Sequence, residues 1–390
     1  MGHHNQHDFL NHYSGLEHMG CDSNHGSGIP FRRTYAVVGG EVAVKPECIY
    51  FGKCGGCAYQ NVSYSNQLLL KRSKIIESLS AFKDSSEFEV AEVTPSPKPY
   101  HYRHSIALTV RKRDDKLKLG YVAWMKDQNT KREDKFFLPI DSCAIADKRL
   151  NQFFPKTLEQ LESLLPRKRR KISQVMLRVG DVPEVVTSLR PDRGKILKET
   201  ILGRTFSYSV SSFFQSNHSI LESFVKTVRL FLTVRLDSAE PTGKGLLIDL
   251  YSGVGLLGIS LASDYEQVFL IEEGYEAVEQ AKANAEANGA RNVQGLCGKA
   301  EEIFPGLEKH KLKPLHIIVD PPRAGLMPEV VNRLIDLAAD RLIYVSCHID
   351  SLKRDLTLLT KRYQIQKIQP LDFFPQTEHV ETIVLLVPQE

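Results

Sequence analysis

The feature that most constrains the fold of this chain is the alternation of apolar runs with helical stretches that begins near Gly245. Four apolar runs follow one another: Leu246–Leu250, Gln267–Glu272, His316–Asp320 and Leu342–Ser346. Between the second and third runs, residues 277–288 are typical of a helix that Gly289 can end as a C-cap. Because strands that alternate with helices pair in parallel, the pattern predicts a doubly wound α/β sheet.

Chemically useful residues lie at the ends of these runs. Ligands of such sheets bind beyond the carboxyl ends of the strands, and Asp249, Glu272, Asp320 and Cys347 all lie at or just after such an end. The glycine motif Gly253–Gly258 follows the first run, and Glu272 is placed where an acid can accept hydrogen bonds from ribose hydroxyls. Nicotinamide enzymes and methyltransferases share this spacing, so the motif alone leaves both open.

Cys347 is a candidate nucleophile. A cysteine at a strand end can be a small core residue, but this one lies between polar residues near the start of a predicted helix. A helix N-terminus and nearby cations favour the thiolate. One reaction that needs a cysteine nucleophile is the methylation of carbon 5 of uracil. That carbon accepts a methyl group only after a thiolate adds to carbon 6, and a base must then remove the proton from carbon 5. Glu381 is the candidate base, with a surface glutamate at the start of the last strand as the alternative.

The first half of the chain has a different character. The 390 residues suggest two or three domains, and the net charge of +4 does not by itself indicate a nucleic-acid partner. Residues 1–47 are predicted to be a mostly disordered tail, and alternating segments between 100 and 200 predict a strand-rich domain. Candidate contacts to RNA phosphates and bases, each of which could also be an ordinary surface or core residue, are Arg103, Arg111–Arg113, Lys116, Lys118, Lys126, Lys131, Arg132, residues 166–171, Tyr100, Tyr102 and Trp124.

The seven cysteines are read as ligands, nucleophile or core rather than as disulfides, since the chain shows no export signal. Cys48, Cys54, Cys57 and Cys143 supply soft thiolate ligands that suit an iron–sulfur cluster or a tetrahedral zinc ion. Paired zinc ribbons normally show two C-x2-C pairs, and this chain has one, at residues 54–57.

Together these motifs resemble those of the uracil-5 RNA methyltransferases that act on bacterial ribosomal and transfer RNA. The resemblance runs from Cys48 to Val387 and includes residues 48–57, 212–217, 249–253, 320–325, 344–347, 354–356 and 374–381. It implies a class I methyltransferase (Rossmann-like) sheet over 206–390, with S-adenosylmethionine as methyl donor. It also implies an iron–sulfur and RNA-binding region over 48–205.

The resemblance assigns roles to particular residues. Cys347 would be the nucleophile and Glu381 the base, and Arg323 is a candidate for orienting the site. The cofactor would be held by Gln215, Tyr251, Glu272 and Asp320, and a 4Fe-4S cluster by Cys48, Cys54, Cys57 and Cys143. The sequence departs from the family pattern at Leu256 and Lys299, which bears on cofactor affinity. It departs again at His348, which bears on the nucleophile.

The expected substrate is 23S ribosomal RNA, because related enzymes for transfer RNA generally lack the cysteine cluster. A transfer-RNA uracil-5 methyltransferase is the alternative, as is a non-catalytic RNA-binding iron–sulfur protein with a degenerate cofactor site. Two other enzyme classes fit the sequence less well. Amino-group methyltransferases have an aromatic residue where Arg323 stands in this chain, and the activity of a nicotinamide dehydrogenase would give Cys347 and Glu381 no function. The sequence further predicts a cytoplasmic monomer without DNA or membrane partners.

Overall fold

The structure is a computed structural model that describes residues 43–83, 88–126, 133–164, 172–189, 192–234, 244–309, 312–313 and 315–389. Most of the predicted tail, the basic residues Lys131 and Arg132 and the basic run 166–171 lie outside the described residues. So do the side chains of Trp124 and Lys126. Among the described helices, none is both long enough and apolar enough to cross a membrane.

The middle of the chain forms the predicted strand-rich unit. It is a five-stranded antiparallel sheet of order β3-β2-β1-β4-β5, followed by a separate hairpin of β6 and β7. Alternate residues of the first strand, such as Ile106 and Leu108, are buried against the neighbouring helices, as expected for a sheet with one solvated face. The elements are α1 (Tyr64–Ser78), β1 (Ser105–Arg113), β2 (Lys116–Lys126), β3 (Glu133–Pro139), α2 (Lys148–Gln152), α3 (Phe154–Leu164), β4 (Gln174–Val179), β5 (Val185–Thr187), β6 (Ile196–Ile201) and β7 (Arg204–Ser209).

The C-terminal half forms the predicted doubly wound sheet. Its seven strands have the order β10-β9-β8-β11-β12-β14-β13, parallel from β10 to β12 and antiparallel at β14 and β13. The elements are α4 (Leu221–Thr233), β8 (Leu246–Leu250), α5 (Leu256–Leu261), β9 (Gln267–Glu272), α6 (Tyr275–Ala287), β10 (Val293–Cys297), α7 (Ala300–Ile303), β11 (Leu315–Val319), α8 (Pro328–Leu337), β12 (Arg341–Ser346), α9 (Ile349–Leu359), β13 (Tyr363–Leu371) and β14 (Glu381–Pro388).

The apolar runs are continuous because their strands are covered on both faces. Every residue of β8 and β12 is buried. Leu247 belongs to the core on the side of α4 and α5, whereas the next residue, Ile248, belongs to the core on the opposite side. Ile75 of α1 lies in this second core, so the N-terminal helix packs on the C-terminal sheet. The division of the chain at 47/48 and 205/206 stays a prediction.

Candidate active site

The sheet topology creates one crevice. Strand order reverses between β8 and β11, and ligands of doubly wound sheets bind at that point. Tyr251 and Asp320 follow these two strands, and Cys347 follows β12. Glu381 reaches the same edge because β14 runs antiparallel to β12 and places Thr382 opposite Ser346. The structure therefore brings Cys347, Glu381, Asp320 and Tyr251 to one edge of the sheet.

The glycine loop is fixed by two carboxylates. Asp249 is buried, and its Oδ2 accepts a hydrogen bond from the backbone N–H of Gly258 at 2.8 Å. A side chain at Gly258 would meet Leu270, so the close approach of helix α5 to the strands requires glycine. Glu272 accepts from Gly253 N at 3.1 Å. These bonds fix the loop at the edge of the sheet.

A cavity lies over this loop. Of the predicted cofactor residues, Gln215, Tyr251 and Asp320 line the cavity, whereas Glu272 supports the glycine loop beside it. Leu256, one of the departures from the family pattern, also lines it, and Lys299 is exposed at the start of α7. The other lining residues are Phe213, Phe214, Phe224, Asp249, Ser252, Gly253, Val254 and Leu257.

The electrostatics of this cavity suit a positively charged ligand. Burial raises the pKa of Asp249 to about 7, and burial likewise raises the pKa of Asp320 to about 7. A cation beside these carboxyls would stabilise their charged forms and so offset the cost of burying them. The sulfonium of S-adenosylmethionine carries such a charge, so the residues present fit this cofactor. Tyr251 has a φ of 63°, a conformation that is rare for residues other than glycine and that clusters at functional sites.

Cys347 is held as a thiol. Burial, followed by the charges of Glu381 and Asp320, raises its pKa to about 11 against the opposing charge and hydrogen bond of Arg323. As the sequence predicts, a nearby cation favours the thiolate, since Arg323 lowers this pKa. The two carboxyl groups and burial outweigh the guanidinium.

Glu381 has the environment of a strong base. Its side chain is 3% exposed, and burial, followed by the charge of Asp320, raises its pKa well above the ordinary value. Its Oε1 has no hydrogen-bond partner among the described residues. Burial therefore favours the protonated form of this carboxyl, which can act as a base only after that proton has left. The raised pKa then gives the carboxylate a high affinity for the proton of carbon 5.

The sequence did not indicate the contact between Arg323 and His379. Nη2 of Arg323 lies 3.0 Å from Nδ1 and 3.1 Å from Nε2 of His379. Burial, followed by the charge of Arg323, lowers the pKa of His379 to about 4, so at neutral pH the ring is uncharged and can accept a hydrogen bond. Two features of the sequence could have suggested that His379 lies near the site. It stands two residues before Glu381, and both residues belong to the same motif.

His348 takes over a structural task usual for asparagine. It is the N-cap of α9, and its Nδ1 accepts a hydrogen bond from Ser351 N at 3.4 Å. Further along this helix, the buried Asp355 accepts from Leu326 N at 2.8 Å and from the Tyr344 hydroxyl at 2.6 Å. Asp355 thereby fixes the loop that carries Arg323.

The four predicted ligand cysteines line a second cavity, of about 330 Å³. Burial raises the pKa of Cys54 to about 11 and that of Cys57 to about 12. Within the described ranges, no three His, Cys, Asp or Glu side chains are gathered closely enough to hold a metal ion. A zinc ion would need each sulfur about 2.3 Å from one point. The four cysteines therefore share one cavity, and the described structure does not gather their sulfurs around a single point.

The candidate RNA contacts fall into two groups. Tyr102 is completely buried and its hydroxyl donates to Pro375 O at 3.1 Å, so the prediction that it could stack on a base is wrong. Arg111, Lys112, Arg113, Lys116 and Lys118 are exposed around the β1–β2 turn.

Comparison with known proteins gives consistent results. A family model described as tRNA (uracil-5-)-methyltransferase matches residues 198–389. An RNA methyltransferase of Caldanaerobacter subterraneus, described as uncharacterized, is 31% identical over 401 residues, which cover 88% of this chain and 85% of the relative. The tRNA (uracil(54)-C(5))-methyltransferase of Schizosaccharomyces pombe is 29% identical over 87% of this chain, which spans 65% of that protein's length.

A solved structure is similar over most of the chain. The crystal structure of Pyrococcus abyssi tRNA (uracil-54, C5)-methyltransferase in complex with S-adenosyl-L-homocysteine superimposes with a TM-score of 0.63 and 26% sequence identity. The similarity covers 85% of this chain and 86% of that chain.

Proposed function

The chain belongs to the RNA uracil-5 methyltransferase family, and on that premise we propose that it methylates carbon 5 of a uridine through a covalent adduct at Cys347. The observation that carries this proposal is the meeting of two elements at one edge of the sheet. The strand order brings Cys347, at the end of β12, beside Glu381, at the start of the antiparallel β14. A nucleophile and a base are the two groups that this reaction needs.

The chemistry of the chain's own residues follows from their placement. Cys347 loses its thiol proton to solvent and adds its sulfur to carbon 6 of the uracil, and the electron pair of the 5,6 double bond moves toward carbon 5 and oxygen 4. Arg323 donates a hydrogen bond to the sulfur and so stabilises the thiolate before it adds. After carbon 5 has taken up the methyl group, Glu381 removes the proton from carbon 5. The electrons of that C–H bond re-form the 5,6 double bond, the C6–S bond breaks, and Cys347 is released as the thiolate.

We assign the cofactor to the cavity over the glycine loop, where Gln215, Tyr251 and Asp320 would hold it and Glu272 would orient the loop and contact the ribose. S-adenosylmethionine, when bound there, supplies the methyl group that carbon 5 takes up. The two raised carboxyl pKa values in this cavity support a ligand with positive charge. The leucine at position 256 adds an apolar contact where the family pattern has a polar one.

We propose that Cys48, Cys54, Cys57 and Cys143 hold a 4Fe-4S cluster. The cavity of about 330 Å³ that these cysteines line supports a group larger than one ion. The test is anaerobic purification followed by iron and zinc analysis of the wild type and of Cys57→Ser. Iron and acid-labile sulfide in the wild type and their loss in the variant are expected. Stoichiometric zinc would contradict the assignment.

For the substrate we propose 23S ribosomal RNA, because this chain has the cysteine set that transfer-RNA enzymes of the family generally lack. Transfer RNA is the second candidate, since the relatives from S. pombe and P. abyssi are described as acting on uracil 54 of tRNA. We also propose that the protein is cytoplasmic and monomeric. Gel filtration with light scattering would check the oligomeric state. Methylation assays on 23S fragments and on tRNA transcripts would separate the two RNA candidates.

An adduct assay tests the chemistry itself. The protein is incubated with S-adenosylmethionine and RNA that carries 5-fluorouridine, in which fluorine replaces the proton that Glu381 would remove. We expect a protein–RNA adduct that survives denaturation in the wild type and is absent in Cys347→Ala. Failure to form an adduct on either RNA, with RNA binding retained, would favour the non-catalytic alternative.

A further inference from the structure

The segment that leads to the catalytic base is held from outside its own sheet. We call residues 372–381 the base segment. Lys71 of α1 donates to the Asp372 carboxylate and to Phe374 O, the latter at 3.0 Å. The Tyr102 hydroxyl donates to Pro375 O at 3.1 Å. These contacts come from the first hundred residues or so of the chain, far in sequence from the strand that carries Glu381.

Gln376 is the most closely held residue of the base segment. Its backbone N–H donates to Gln67 Oε1 at 3.0 Å, and its side-chain Oε1 accepts from Gln67 Nε2 at 3.0 Å. Its carbonyl accepts from the backbone N–H groups of Ala58 and Tyr59 at 2.9 and 3.0 Å. With a longer bond from its Nε2 to Pro99 O at 3.4 Å, five hydrogen bonds join this residue to the N-terminal part of the chain.

The backbone of Gln376 needs this support. Its φ is 68°, in the left-handed region that costs energy for any residue with a side chain, and the residue is 2% exposed. Such a conformation persists when the surrounding contacts over-determine it. Gln67 is itself 1% exposed, so these contacts are sheltered from water.

Hydrogen bonds within the base segment continue from Gln376 toward Glu381. Thr377 Oγ1 donates to Phe374 O at 2.8 Å and accepts from His379 N at 3.2 Å. Glu381 follows two residues later, and its Oε1 has no hydrogen-bond partner among the described residues. Glu381 pairs with Leu371 of β13, and the base segment is the connection between these two strands, so the path of that connection contributes to where the carboxylate lies.

We propose that Gln67 and Tyr102 are positioning residues for Glu381, which they place by holding Gln376 and Pro375. The proposal rests on the proposed function, because it takes Glu381 to be the base. It also gives the cysteine region a link to catalysis, since Ala58 and Tyr59 directly follow Cys57 and donate to the same Gln376 carbonyl.

The two halves of the reaction depend differently on this contact. Cys347 lies between β12 and α9. The side chains of Gln67 and Tyr102 hydrogen-bond to the base segment and not to either of these elements, although α1 itself packs on α9. Adduct formation and methyl uptake at carbon 5 should therefore survive a change at Gln67, whereas removal of the proton by Glu381 should slow. A displacement of about 1 Å can cost on the order of 10²-fold in rate. The methylated covalent adduct should then accumulate on ordinary uridine RNA.

The experiment compares Gln67→Ala and Tyr102→Phe with the wild type in two assays. One measures the rate of adduct formation on 5-fluorouridine RNA, a step that does not require Glu381 to remove a proton from carbon 5. The other measures, on ordinary uridine RNA, the ratio of denaturation-resistant adduct to released 5-methyluridine product. Tyr102→Phe removes a single hydroxyl and keeps the buried ring, so it remains informative if Gln67→Ala does not fold.

The matched control is Asn288→Ala. Asn288 also makes a two-point amide contact with backbone, accepting from Thr205 N at 3.0 Å and donating to Thr205 O at 2.8 Å, but it lies away from the base segment. We expect both test variants to form the fluorouridine adduct at the wild-type rate. On ordinary RNA both should accumulate adduct, and Gln67→Ala should release the methylated product roughly 10²-fold more slowly than the wild type. Asn288→Ala should accumulate none.

Two results would overturn the proposal: unchanged release in both test variants, or parallel loss of adduct formation and product, which would indicate a merely structural role. Failure of the proposed function gives a different outcome. In that case Glu381→Gln, measured alongside, would not accumulate adduct on ordinary RNA, or Cys347→Ala would still form product.

Discussion

Replacing Arg323 with methionine should make Cys347 less reactive. The guanidinium is the one group named above that opposes burial and two carboxyl charges, through both its charge and a hydrogen bond to the sulfur. With a pKa of about 11, roughly one molecule in 10⁴ carries the thiolate at pH 7. Loss of the arginine should lower that fraction further.

The magnitude follows from the contact. A hydrogen bond to a charged group contributes about 1.5–3 kcal/mol, and about 1.4 kcal/mol corresponds to one pKa unit. Arg323 is exposed in its contact with His379, so solvent screening favours the lower end of this range. We therefore expect the pKa of Cys347 to rise by about one unit and its alkylation at fixed pH to slow about tenfold.

The assay is alkylation by iodoacetamide between pH 7 and 10 without RNA, with the Cys347 peptide quantified by mass spectrometry. Lys353→Met removes one positive charge from the exposed face of the neighbouring helix and serves as the charge-matched control. An alkylation rate in Arg323→Met that equals or exceeds that of the control would refute this account of the thiol's environment.

Three further predictions follow from the described contacts. Burial lowers the pKa of His316 to about 4, so between pH 6.5 and 4 the unfolded state binds more protons than the folded state. The free energy of unfolding should therefore decrease as the pH is lowered through that window, and urea titrations should show a smaller decrease in His316→Phe. Asp355→Ala leaves Leu326 N and the Tyr344 hydroxyl without their acceptor and should lower the free energy of unfolding by about 1–3 kcal/mol, measured by denaturant titration; no change would contradict the assigned contacts. Gly258→Ala should weaken binding of S-adenosylhomocysteine in calorimetry because the added carbon would meet Leu270 and Asp249, and unaltered affinity would contradict the packing argument.

The sheet could be predicted because its strands are buried on both faces. Continuous apolar runs such as Leu246–Leu250 are legible without tertiary information, and the rule that ligands bind at the carboxyl ends of strands brought Asp320 and Cys347 together. Glu381 was found from its motif. Its nearness to Cys347 depends on the antiparallel pairing of β14 with β12, which no local pattern specifies.

Contacts between distant parts of the chain could not be predicted. Gln67 and Gln376 are 309 residues apart, and nothing in the spacing of either indicates the other. The same limit explains the error about Tyr102, because an aromatic residue beside an arginine fits a base-stacking surface and a core equally well. The net direction of the pKa shift of Cys347 could not be predicted, because its largest causes, burial and two carboxyl groups, come from tertiary structure.

The most direct test of the central claim is the identity of the modified nucleoside. The protein is incubated with S-adenosylmethionine labelled in its methyl group and with 23S fragments and tRNA transcripts, and the RNA is digested and its nucleosides separated. We predict label in 5-methyluridine with the wild type and none with Cys347→Ala. Label in a methylated amino group, or 5-methyluridine formed equally by Cys347→Ala, would contradict the account.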